Sequence, residues 1–140
     1  MEQEDSMKKF IIMRGVPGSG KTTRAMELAG LKGRIHSADY FFAGEGGNYR
    51  FDRGHIEEAH IFCFEMVRAS MEMARPLIIL DSCNIQRKHF RGYLDIARQY
   101  GYVVEEVAML PHPDPAIAAM RNVHGVSQES IERAIALWEP

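Results

Sequence analysis

Apolar positions along the chain fall into two patterns. The unbroken runs Phe10-Ile11-Ile12-Met13 and Leu77-Ile78-Ile79-Leu80 are short and suit strands buried on both faces. A weaker strand is expected over 34–37. A fourth is expected over 102–110, where Val103, Val104, Val107, Ala108 and Met109 give a β-rich stretch. Between these runs the spacing becomes helical. Residues 21–31 read as a helix closed by Gly30 or Gly33. Ile56, Ala59, Cys63, Met66, Val67, Ser70 and Ala74 line one helical face, with Asp52 as the expected cap and Pro76 as the stop. Phe90, Tyr93, Leu94 and Ala97 mark a further helix, ended by Gly101. Asp114-Pro115 is a good cap and first-turn pair for a short helix reaching Asn122. Ser127 caps the last helix, whose apolar face is Ile131, Ala134, Ile135 and Trp138.

Strands that alternate with helices predict an α/β fold: a mostly parallel sheet with helices on both faces. Ligands of such folds bind beyond the carboxyl ends of the strands. The residues just after each strand are therefore the ones to read for chemistry.

A length of 140 residues suits one domain, expected over 8–140 behind a loose tail at 1–7. With 46% hydrophobic and 26% charged residues the chain is neither disordered nor collagen-like. The apolar runs are too short to span a bilayer, so no membrane association is expected. The first six residues are acidic and polar, unlike a secretion signal, and a cytoplasmic location is expected. Seventeen basic and nineteen acidic residues give a net charge of −2. That argues against a general nucleic-acid coat, though a local basic groove is compatible with it. Cys63 and Cys83 are too few for a four-cysteine zinc site, and a reducing compartment disfavours a disulfide between them.

The stretch Gly15-Val16-Pro17-Gly18-Ser19-Gly20-Lys21-Thr22 fits the phosphate-loop pattern G-x-x-x-x-G-K-[ST] in full, between an expected strand and an expected helix. Glycines let main-chain N–H groups come close to phosphate oxygens with no Cβ in the way. The helix that begins near Lys21 adds the positive end of its dipole. Lys21 is expected to reach the β- and γ-phosphates of ATP, and the Thr22 hydroxyl to hold Mg²⁺. A dinucleotide fingerprint does not fit, because Lys21, Thr22 and Thr23 stand where its third glycine would follow.

A guanine-specific switch protein should show Asn-Lys-x-Asp, and Asp-x-x-Gly after its second buried strand; Asp81 is followed instead by Ser82-Cys83-Asn84. A full ring-type motor needs a longer chain. The small size points to a phosphotransferase. Asp81, after an apolar strand, suits a carboxylate that orders Mg²⁺, and a capping or turn role is the plain alternative. Asp39 follows the second strand, where a carboxylate can accept the proton of an attacking hydroxyl; an ordinary turn aspartate fits its spacing equally well. Arg121, near the end of the short helix after the fourth strand, suits a lid cation over the leaving phosphoryl group or a solvated helix end.

Taken in order, Arg14-Gly15-Val16-Pro17-Gly18-Ser19-Gly20-Lys21-Thr22-Thr23, Ser37-Ala38-Asp39-Tyr40-Phe41, Ile79-Leu80-Asp81-Ser82-Cys83-Asn84 and Arg121-Asn122-Val123-His124-Gly125-Val126 resemble the polynucleotide-kinase-like P-loop family. That family includes phage 5′-polynucleotide kinases and related animal kinase domains, with zeta toxins more distant. Asn48-Tyr49-Arg50-Phe51 and Ala59-His60 resemble its animal branch. The similarity runs over about residues 10–139. It implies a three-layer kinase-type fold with sheet order 2-3-1-4, Mg-ATP as phosphoryl donor, and transfer to a hydroxyl, often the 5′-OH of a nucleic acid. It implies phosphate binding by Lys21 and Thr22, general-base work by Asp39 and a lid role for Arg121. Asp81 and Asn84 match its segment beside the phosphates.

Two positions depart from the phage pattern. Phe42 stands where those enzymes carry an arginine that grips the acceptor's phosphate, and His124 lies near the place of a second lid arginine. Cys83 replaces the usual threonine. The candidate site is thus Gly15, Pro17, Gly18, Ser19, Gly20, Lys21, Thr22, Thr23 and Arg121 for ATP, Thr22 and Asp81 for the metal, and Asp39 for catalysis with Lys21 and Arg121. The acceptor candidates are Asn84 and, beside the Gly-rich stretch 44–49, Arg50 and Arg53. A small-molecule kinase and a nucleotide-binding protein without transfer activity are the alternatives. His60 reads as a core histidine with a site role open to it, Met66, Met71 and Met73 as core filler, and Arg87, Lys88, Arg91 and Arg98 as a solvated basic face. The oligomeric state is not legible.

Overall fold

The computed structural model describes residues 7–42 and 52–140. Most of the expected tail, the Gly-rich stretch and Arg50 lie outside the described residues. The elements are β1 (Lys9–Arg14), α1 (Lys21–Ala29), β2 (Arg34–His36), α2 (Ile56–Glu72), β3 (Leu77–Leu80), α3 (Arg91–Gln99), β4 (Val103–Ala108), α4 (Pro115–Arg121) and α5 (Gln128–Ala136). Short 3₁₀ turns at Ala38–Phe42, Arg53–His55 and Arg87–His89 link them.

The four strands form one sheet in the order β2-β3-β1-β4, all pairs parallel, as expected. The central strand β1 shows why its apolar run is unbroken. Phe10 and Ile12 pack against Cys63, Val67 and Met71 of α2 and Ile96 and Ala97 of α3. Their neighbours Ile11 and Met13 face the opposite layer, with Ala25 and Ala29 of α1. All four are buried, and each such side chain stabilises the fold by about 1.5–3 kcal/mol. A third cluster, of Val16, Ile85, Ala118 and Ile131, seats α4 and α5 on the phosphate loop. Asp114 accepts from the Ala116 and Ile117 amides, and the Ser127 hydroxyl from the Ser130 amide, so both expected caps are in place.

Several readings are corrected. The buried face of α2 is Ala59, Cys63, Val67, Ser70 and Met71, whereas Ile56 and Met66 are exposed. Period alone does not distinguish two adjacent stripes of one helix. The helix also ends before Pro76, at Glu72, where Ala74 turns left-handed at φ 58°. Asp52 caps the 3₁₀ turn ahead of α2, accepting from the Gly54 amide, and His55 takes the N-cap of α2 itself. His60 is exposed, as is Met73, so neither lies in the core. β4 is an edge strand, and Val103 remains half-exposed. Cys63 and Cys83 are free thiols. Among the described residues no helix is long and apolar enough to cross a membrane.

Candidate active site

The carboxyl ends of β1, β3 and β4 meet at the phosphate loop. The Gly15 amide donates to the Cys83 carbonyl at 2.9 Å, and the Met109 amide to the Arg14 carbonyl at 2.8 Å, which ties the loop to the ends of two neighbouring strands. Two glycines are required by geometry. Gly18 sits at φ 81°, and a Cβ there would meet the Ala118 carbonyl oxygen at 2.3 Å. Gly20 caps α1 at φ 90°, a left-handed conformation that an L side chain strains. The N–H groups of the first turn of α1 thus open onto the loop.

Thr22 stands in that first turn and donates its hydroxyl to Asp81 Oδ2 at 2.8 Å. Asp81 follows β3 and is buried. Its second oxygen, Oδ1, has no hydrogen-bond partner, and neither has the Ser19 hydroxyl. Burial pushes the Asp81 carboxyl up from its ordinary value, against the Thr22 hydrogen bond and the Lys21 ammonium; Asp39 adds to the rise and His124 opposes it. Burial likewise raises the Cys83 thiol, opposed by Lys21. Thr22 thus touches Asp81, and Lys21, Asp39 and His124 lie near enough for their charges to act on it.

A buried carboxylate oxygen without a partner, beside a threonine hydroxyl, is an oxygen donor set that fits a magnesium ion carried by a polyphosphate. Among the described residues no three His, Cys, Asp or Glu side chains cluster as a metal site.

Asp39 lies in the turn Ala38–Phe42, its amide donating to the Ser37 hydroxyl at 3.1 Å. Its carboxylate is about half-exposed and has the His124 imidazole as a partner, Nε2 to Oδ2 at 3.3 Å. Arg121, exposed at the end of α4, lines a recess of about 490 Å³ with Ser19, Arg24, Met109, Leu110 and Pro111. Pro17 is half-buried in the loop and Thr23 exposed on α1.

Of the three acceptor candidates, Asn84 and Arg53 lie within the described residues. Asn84 is buried at φ 49°, and its amide donates to the Met13 carbonyl at 2.8 Å and the Ser82 carbonyl at 3.4 Å. Arg53 is exposed in the turn ahead of α2. Phe42, in the place of the phage arginine, is buried. The sequence reading missed the recess and Arg24, since no motif surrounds Pro111 and a helical arginine carries no signature. It named His124 only as a departure and gave it no partner.

These features define a P-loop protein of the kinase type. A family model described as an AAA domain matches residues 10–125. The chain belongs to that family. Human NEDD4-binding protein 2 is 32% identical over 139 residues, an alignment that covers 93% of this chain and 8% of that protein. The rat YLP motif-containing protein 1 is 27% identical over 92% of this chain and 11% of its own length. The chain thus spans only about a tenth of these curated relatives. In the structure of the Pnkp1/Rnl/Hen1 RNA repair complex, one chain superposes with a TM-score of 0.73 at 18% identity, covering 94% of this chain and 44% of that one. At that identity the likeness concerns the fold.

Proposed function

We propose that residues 8–140 form a phosphotransferase that moves the γ-phosphoryl group of Mg-ATP to a hydroxyl. The observation that carries this is the Asp81 carboxylate, buried, held on one side by Thr22 and left without a partner on the other, at the mouth of a complete phosphate loop. A buried anion without a partner costs stability, and binding a cation removes that cost.

The loop amides and the start of α1 bind the phosphate oxygens, and Lys21 neutralises charge on the β- and γ-phosphates. Thr22 and Asp81 would hold Mg²⁺, which screens the phosphate charge and draws electrons toward the leaving oxygen. Ser19, Arg24, Arg121 and the chain around Leu110 and Pro111 offer the recess for the nucleoside. Asp39 orients the acceptor hydroxyl and takes its proton as the new O–P bond forms and the bond to the β-phosphate oxygen breaks, which releases ADP. Arg121 stabilises charge on the group in flight.

The resemblance favours the 5′-OH of a nucleic acid as acceptor, with Arg50 and Arg53 as its candidate ligands. A small-molecule hydroxyl is the second reading, favoured by the buried Phe42, which presents no charge where an acceptor phosphate would be held. Label from the γ-phosphate of ATP, followed onto a panel of hydroxyl acceptors with a water-only control, tests both. A polynucleotide kinase should prefer 5′-OH oligonucleotides and weaken steeply with salt. Asp39→Asn should reduce transfer by roughly 10²- to 10⁴-fold and leave ATP binding nearly intact. Unchanged transfer in that variant would remove the base assignment.

A further inference from the structure

The loop that carries His124 is more firmly built than its exposure suggests. It joins α4 to α5, and Asn122 ties it shut. The Asn122 amide donates to the carbonyls of Ala118, Ala119 and Val126 at 3.3, 2.9 and 3.0 Å, and its carbonyl oxygen accepts from the Val126 amide at 2.8 Å. Gly125, at φ 72°, supplies the left-handed residue the turn needs. Behind it, Ala118 and Ile131 pack on Val16 of the phosphate loop. His124 is thus at the tip of an arm rooted in the nucleotide site.

The arm touches two walls. Arg121 lines the recess beside Ser19. Three residues on, His124 Nε2 lies 3.3 Å from Asp39 Oδ2, on the turn after β2. With both side chains a third to a half exposed, such a pair adds little to stability. Transfer through a loose transition state, by contrast, depends on how the attacking oxygen is aimed more than on the strength of the base. A side chain that fixes the Asp39 carboxylate should therefore be nearly silent in folding and visible in rate.

We propose that His124 is a positioning residue: its imidazole holds Asp39 Oδ2 and sets the direction from which the carboxylate meets the acceptor hydroxyl. It transfers no proton itself. Because Arg121 and His124 share one arm, the arm registers the nucleotide side and the acceptor side of the site to each other. This inference rests on the reading of Asp39 as the base.

The test uses the full chain, γ-labelled ATP and the best acceptor of the panel, a 5′-OH oligonucleotide or a small alcohol. His124→Ala should lower kcat roughly tenfold, as expected for one coupled pair. The KM for ATP and the Tm should stay near their wild-type values. His124→Gln, which places an amide N–H near the lost Nε2, should recover most of the rate, and added imidazole should recover part of it in the alanine variant. In an Asp39→Asn background His124→Ala should have no further effect. A wild-type kcat in His124→Ala, or an equal loss in both backgrounds, overturns this inference and leaves the kinase reading standing. No transfer by the wild-type chain to any acceptor overturns the kinase reading and this inference with it.

Discussion

β1 and β3 lie side by side, and each runs into a buried charged residue. Their surroundings are opposite. Arg14, the last residue of β1, sits between the rings of Phe90 and Trp138 and donates to the carbonyls of Asn84, Ile85 and Glu139. Glu106 lies 3.6 Å from it. Burial pulls its pKa down, and Glu106 opposes that. Asp81, just past β3, has one oxygen satisfied by Thr22 and the other by nothing. His36, which ends β2, belongs with Arg14: it is buried, but its Nε2 is 2.8 Å from the Ser70 hydroxyl. A buried polar group with its partners in place fastens the fold. One left open at a strand end marks where a ligand completes the structure.

Removing a fastener should do the most damage. Arg14→Met keeps the stem but withdraws a donor from three carbonyls, of which Ile85 keeps the Glu139 amide, and loosens the C-terminal segment from the sheet; we expect a loss of about 3 kcal/mol or more in denaturant unfolding. A loss under about 0.5 kcal/mol, the size of an ordinary surface change, would break the contrast.

His36 gives the next effect, through pH. Burial, with Arg34 and Arg75 nearby, lowers its pKa from 6.5 to about 4. The unfolded chain therefore takes up a proton that the folded one refuses. That contribution is fully present above about pH 6.5 and is lost as pH falls toward 4, by roughly 3 kcal/mol at most. Unfolding curves at pH 7 and pH 4.5 should show this drop in the wild type and a smaller one in His36→Gln. Equal drops would mean that the imidazole is not held neutral.

What the sequence shows and what it hides follow the same division. The phosphate loop is legible because its chemistry is local: glycines, lysine and threonine act within one turn of chain. Asp39 and Asp81 could be singled out because each follows a strand, and strand ends in such folds converge. The role of Arg14 is hidden because its acceptors come from Asn84, Ile85 and Glu139, 70 to 125 residues away. The partnership of His124 with Asp39 is hidden for the same reason. The hydrogen bond from the Asn84 amide to the Met13 carbonyl is hidden too, since Met13 lies on β1. Hydrophobic spacing found α2 but put Ile56 and Met66 inside, since a helix with more than one apolar stripe does not say which one is covered.

The smallest effect on stability should come from the open group. Asp81→Asn removes an unpaired buried charge while keeping a side chain that can accept from Thr22. The free protein should gain on the order of 1 kcal/mol, opposite in sign to the loss in Arg14→Met.

Calorimetric titration of ATP with magnesium into the wild-type chain and into Asp81→Asn tests the central claim most directly. The account expects the wild type to bind, to bind more weakly when magnesium is withheld, and to lose roughly tenfold or more in affinity in the variant although the variant is the more stable protein. Wild-type binding that is absent, or that is the same with and without both the metal and the Asp81 carboxylate, would contradict it.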